Sequence, residues 1–165
     1  FTNQHELSLG DVVKVACLTP HALQHGVRTV EFQTPVYERK ILNFAQKVLT
    51  QNYWDTEEAV EIMNLDSELQ QDLAVLQSSE TWCLEQVVRF DDFRALRLTL
   101  DAGGRYPLDS GDHYKIVMNI QGAVLVGSEE LAPEDAVLIP RSARDCFISN
   151  TGTGRAICLL ALPID

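Results

Sequence analysis

The chain has no apolar run near the roughly 18 residues that a bilayer span requires, so no transmembrane helix is expected. It also lacks the charged start and short apolar core of a signal peptide. Basic residues are scarce: 13 Lys and Arg stand against 24 Asp and Glu, for a formal net charge of −11. That balance argues against nucleic acid and against a membrane surface as partners. Cysteines are few and far apart (Cys17, Cys83, Cys146, Cys158), with no Cys-x-x-Cys pair. They read as reduced, mostly buried thiols of a cytoplasmic protein. Neither Gly103-Gly104 nor Thr151-Gly152-Thr153-Gly154 precedes a helical pattern, so neither is a phosphate loop. The chain begins at Phe1 rather than at Met, and its natural N-terminus is expected further upstream.

What is present divides into three stretches. An apolar fraction of 45% over 165 residues is enough for a core, in one domain or two small ones. Residues 1–34 read as short strands: Leu7 and Leu9, then Val12 to Val15, then Arg28 to Gln33. Val27, Thr29, Glu31 and Gln33 share one face of the last. Residues 35–80 read as a helical connector. Pro35 opens a helix carrying Tyr37, Ile41, Phe44 and Val48. Asp55 and Glu58 start a second, with Ala59, Val60, Ile62 and Met63. Ser67 and Gln70 start a third, with Leu69, Leu73, Val75 and Leu76. Asp55 to Glu80 holds eight acidic residues and no basic one, which reads as a solvated face or as a dock for a basic partner.

From residue 81 to 165 the period changes to two. Strands are expected at Trp82 to Phe90, Phe93 to Leu100, Lys115 to Ile120, Ala123 to Val126, Ala136 to Ile139, Cys146 to Ser149 and Ala156 to Ala161. Turns such as Asp101-Ala102-Gly103-Gly104 and Gln121-Gly122 separate them. Many short strands with regular turns imply an antiparallel β-sandwich or barrel. Its expected core includes Trp82, Leu98, Ile116, Met118, Val137, Ile139 and Leu159.

Three stretches carry a resemblance. Gly10, five residues, a turn at Ala16 to Leu18, then Thr19-Pro20-His21 follows the Gly-to-His spacing of the second cupin motif. The run Leu131-Ala132-Pro133-Glu134-Asp135-Ala136-Val137-Leu138-Ile139-Pro140 resembles a cupin hairpin, with Glu134 where glycine is usual. Pro20-His21-Ala22-Leu23, then Gly26, Glu31, Gln33, Tyr37 and Arg39, resembles the C-terminal part of type I mannose-6-phosphate isomerases.

The resemblance implies a cupin-type jelly-roll bicupin whose first barrel is truncated to residues 1–34. Residues 35–80 would connect it to a second barrel at 81–165. It implies aldose–ketose isomerisation of a phosphorylated hexose by a metal-assisted enediol route. His21 would ligate zinc or another divalent metal in the first barrel of the intact protein, or be a structural barrel histidine. Arg39 would stabilise the enediolate or bind the substrate phosphate, or pair with Glu38 or Asp55 at the surface. Glu31 and Gln33 would line the sugar pocket if they face inward. Counting within the second barrel puts Lys115 where a ligating Glu belongs and Asp145 where the His belongs, so no metal is expected there. Asp109, Asp112 and His113 form a loop cluster open to acid–base work or to solvent.

The other readings are a non-catalytic sugar-binding or regulatory bicupin and a cupin enzyme of other chemistry, such as an epimerase or dioxygenase. The expected partner is a small sugar phosphate. The unpartnered strands of residues 1–33 also allow a homodimer.

Overall fold

A computed structural model describes residues 3–8, 10–34, 40–42, 56–66, 73–108 and 111–164. The chain forms two compact units, Phe1–Gln70 and Gln71–Asp165. No helix among the described residues is long and apolar enough to cross a membrane.

In the first unit the described residues up to 34 form turns rather than strands, with a single isolated bridge at Lys14. Asp11 N–H donates to the Ser8 carbonyl at 3.1 Å, and Ser8 N–H donates back to the Asp11 carboxylate at 2.8 Å. Three short strands are marginal without a larger sheet to join, and local side chain-to-backbone bonds compete with strand pairing. The second expected helix is present as α1 (Thr56–Ile62), which buries Ala59 and carries Glu57 and Glu58 in its first turn. Carboxylates there suit the positive end of the helix, and Glu58 also meets Lys40 Nζ at 2.8 Å. Beyond α1, Asn64 N–H donates to the Leu18 carbonyl at 2.8 Å. The first expected helix, from Pro35 to Val48, lies almost wholly outside the described residues.

The second unit is antiparallel β. Its strands are β1 (Ala74–Ser78), β2 (Trp82–Arg89), β3 (Phe93–Leu100), β4 (Arg105–Leu108), β5 (Lys115–Gln121), β6 (Val124–Val126), β7 (Glu129–Leu131), β8 (Ala136–Ile139), β9 (Cys146–Asn150) and β10 (Ala156–Pro163). They form a six-stranded sheet, β1-β2-β3-β10-β5-β8, and a four-stranded sheet, β4-β9-β6-β7. The last four strands of the larger sheet face the smaller one in jelly-roll order, and β1 and β2 extend the larger sheet beyond β3. The expected strands are all present.

Three strands escaped the sequence reading, and all lie at sheet edges. β4 contains Pro107, which an edge tolerates because one row of its N–H groups needs no partner. β7 is three residues long, two of them glutamates. β1 replaces the end of the expected third helix. Val75 pairs with Glu85 of β2 instead and Leu76 sits at the bulge between Val75 and Gln77, because the hairpin satisfies backbone groups that a short helix would leave open.

Between the sheets lie Leu84, Leu96, Leu98, Leu100, Val117, Val124, Val126, Ile148 and Leu160, all buried. Trp82 meets Tyr106 of the opposite sheet edge-on, with ring centroids 5.0 Å apart. Leu98 is part of the expected core, with Trp82, Val137 and Ile139 packed against it. Ile116, Met118 and Leu159 are not. Leu159 pairs with Met118 and Leu160 with Val117, and only Val117 and Leu160 are buried. Successive residues alternate faces, so the apolar run of β5 contributes Lys115, Val117 and Asn119 to the interior.

Hydrogen bonds of two buried asparagines close one end of the interior. Asn150 Nδ2 donates to the carbonyls of Leu100, Asp101 and Gly154 at 3.1, 3.0 and 2.7 Å, while its Oδ1 accepts from Gly152 N–H at 2.9 Å. Asn119 Nδ2 donates to the carbonyls of Gly122 and Leu131 at 3.0 and 2.8 Å. Gly122, at φ 93°, turns the chain here; a Cβ on it would lie 2.8 Å from that of Ala156.

Two predictions follow from this packing. Glu134 has φ 78°, a left-handed conformation that costs a side-chain-bearing residue roughly 1–2 kcal/mol. Glu134→Gly should raise unfolding stability by about 0.5–1 kcal/mol after its own entropy cost, read from urea denaturation. The second concerns Cys158, whose thiol burial pushes up to about 12 from 9.0. The folded state holds that proton more tightly, so its stability contribution is intact below pH 9.0 and lost as pH rises toward 12. The loss is about 1.4 kcal/mol per pH unit in that window, and Cys158→Ala should flatten it.

Candidate functional site

The second unit has chemically different ends. The asparagine end is locked by the bonds just described. The other end is where β5 begins, β4 and β8 finish and β9 begins. Antiparallel pairing places Lys115 opposite Ile139 and Leu108 opposite Cys146. Residues 111–114 and 140–145 lie in loops at this end. An exposed ion pair, Arg141 to Asp112 at 3.7 Å, joins them.

Lys115 is 8% exposed. It shares a face with buried Val117 and Asn119, so its side chain starts from the inward side of the sheet. Its Nζ lies against the loop: a Cβ on Gly111 would sit 3.2 Å from it. On β3, Arg94 shares the inward face with Leu96, Leu98 and Leu100 and stands opposite Leu162, which packs against the core. Arg94 Nε is buried with no hydrogen-bond partner. After the irregularity between Gln86 and Val88, Arg89 is placed across from Arg94.

Asp145, reached by counting from Pro140, does not lie on the inward face. The inward residue at the start of β9 is Cys146, facing Leu108, whereas Asp145 is exposed in the turn at φ 53°. Cys146, Ile148 and the clamp Asn150 share the inward face of β9. Arg94 had no signal, because a charged residue in an alternating strand reads as outward-facing.

These positions do not fit a divalent metal. Lys115 brings a positive charge, Leu108 has no donor, and Cys146 supplies one sulfur where three or four ligands are needed. Among the described residues, no group of three or more His, Cys, Asp and Glu is placed to hold a metal ion.

The residues first singled out lie in the other unit. His21 is exposed, and its Nδ1 lies 2.8 Å from the accepting carbonyl of Thr19 two residues back. Glu31 and Gln33 are exposed. Arg39 lies outside the described residues, as does Asp109. Asp112 is exposed and His113 half-buried.

No family model matches the chain, and no curated protein does. Solved structures similar to it include an RmlC-like cupin from Shewanella frigidimarina, at 13% identity and TM-score 0.45, covering 56% of this chain and 84% of that one. The polyketide cyclase RemF from Streptomyces resistomycificus is similar at 13% identity and TM-score 0.49, over 61% of this chain and 81% of that one. A sugar phosphate isomerase of the cupin superfamily from Silicibacter pomeroyi is similar at 15% identity and TM-score 0.42, over 50% of this chain and 60% of that one.

The Asp112–Arg141 pair is almost fully solvated, so it orders the loops without contributing much energy. Asp112→Asn should change unfolding stability by less than about 0.5 kcal/mol, as measured by thermal or urea denaturation.

Proposed function

We propose that the Gln71–Asp165 unit is a non-catalytic binding barrel for a small polar molecule, in a protein related in plan to the cupin sugar-phosphate isomerases. One observation carries the reading. At the inward positions where a cupin barrel would present metal ligands, this unit has Lys115 and Cys146. Such a site has no Lewis acid to polarise a carbonyl, but it has buried polar groups that can hold a ligand in place.

The sugar-phosphate chemistry belongs, in this proposal, to an intact first barrel. There His21 would be a ligand of zinc or another divalent metal, and Arg39, Glu31 and Gln33 would meet the substrate. A lone imidazole bonded to its own loop does not hold zinc, so the 165-residue chain is proposed to be inactive as an isomerase. The partner is a small sugar phosphate, with self-association into a dimer as a further possibility for the chain. Nucleic acid is not a proposed partner, given the charge of −11.

Metal analysis of the purified chain, with an assay on mannose 6-phosphate, tests this. We expect substoichiometric zinc and no turnover. Turnover that is lost in His21→Ala and restored by added zinc in the wild type overturns the reading.

A further inference from the structure

Most arginines of the second unit have their charge answered. Arg97 stands opposite Glu85 on the outward face of the β2–β3 hairpin and bonds it at 2.9 Å. Arg141 meets Asp112, and Arg155 meets Asp101. Arg144 donates to the carbonyls of Arg141 and Ala143. Arg105 lies over the Phe147 ring, 3.6 Å from its centroid. Among the described residues, neither Arg89 nor Arg94 has a carboxylate, carbonyl or ring of this kind.

These two arginines stand directly opposite each other across the same hairpin. Side chains so placed leave the backbone about 5 Å apart at Cβ, and like charges there repel. The neighbouring strands offer no relief. β3 and β10 contain no Asp or Glu, and the one glutamate of β2, Glu85, points the other way to Arg97. Asp91 and Asp92 are exposed in the connecting turn and form no ion pair with either arginine among the described residues.

The second observation is the orphaned atom. Arg94 Nε is buried and meets no acceptor, although a buried donor without a partner is costly. Arg94 starts from the face that carries Leu96 and Leu98, and Arg89 is exposed. The pair therefore runs from the interior side of the sheet out to solvent, and a ligand can reach it from the open end of the hairpin.

We infer that Arg89 and Arg94 form a clamp for the phosphate group of a small phosphorylated molecule. The inference deepens the reading of this unit as a binding barrel and rests on it. A guanidinium presents a planar fork that matches phosphate oxygens. A phosphate monoester carries a charge of about −2 near neutral pH, which matches two guanidiniums where a carboxylate matches one. Bound between them, it would turn the cross-strand repulsion into two attractions. Rotation of the flexible Arg94 side chain toward Arg89 would also give Nε–H its acceptor.

The test is calorimetric titration of the full chain at low salt with inorganic phosphate, with acetate and with mannose, on wild type, Arg89→Gln, Arg94→Gln and Arg94→Lys. We expect phosphate to bind more tightly than acetate. Its binding should weaken at least about tenfold in Arg89→Gln and in Arg94→Gln, with part retained in Arg94→Lys. Arg89 is exposed, so its variant keeps the fold even if the Arg94 variants do not. In the wild-type protein the Arg94 Nε–H resonance should shift on adding phosphate. Phosphate binding that is unchanged in Arg89→Gln, or that leaves that resonance unmoved, overturns the clamp. Acetate binding as tight as that of phosphate overturns the assignment to a phosphate group. Mannose binding without phosphate binding sinks the clamp and leaves the binding barrel standing. Failure of all three to bind overturns both.

Discussion

The alternation of side chains along antiparallel strands is the constraint on which the second unit depends. Once Leu98 faces inward, pairing fixes Cys158 and Leu84 beside it on the same face. A slip of one residue in any strand would turn its whole apolar set outward. Each buried Leu, Ile or Val contributes roughly 1.5–3 kcal/mol, so a slip in β3 alone would forfeit the burial of Leu96, Leu98 and Leu100. The register is therefore held by the core, and everything polar in the interior is placed as a consequence.

That consequence differs at the two ends. At one end Asn119 and Asn150 spend their amides on carbonyls of the turns, which fixes where the chain leaves each sheet. At the other, the same face of the same strands presents Lys115 and Arg94. A divalent-metal centre would need three or four donors at such positions; a leucine, a lysine and a single thiol cannot make one. The apolar layer lies between the two ends and depends on neither.

The extent of the fold legible in the sequence follows from the same physics. Strands with strong alternation and clear turns, such as β3, β5 and β10, were recognisable. The edge strands β1, β4 and β7 were not, since an edge pairs on one side only and tolerates proline, charge and short length. Phase was the other limit. Ile116-Val117-Met118 is apolar on both faces, and no local property says which of them meets the opposite sheet. In the first unit, Val12 to Val15 and Arg28 to Gln33 have strand-like patterns but form no strand among the described residues. A pattern specifies a face, and a face needs a sheet beside it.

By itself the sequence determined the period-two architecture from Trp82 onward, the lack of an apolar run long enough for a membrane-spanning helix, and the acidic balance. Only the tertiary structure decided that Cys146 rather than Asp145 turns inward, and that Arg94 shares an interior face with Lys115. The physical reason is that both facts are set by pairing across strands far apart in the chain: Leu108 with Cys146, and Arg94 with Leu162. Spacing along one strand cannot encode a partner on another.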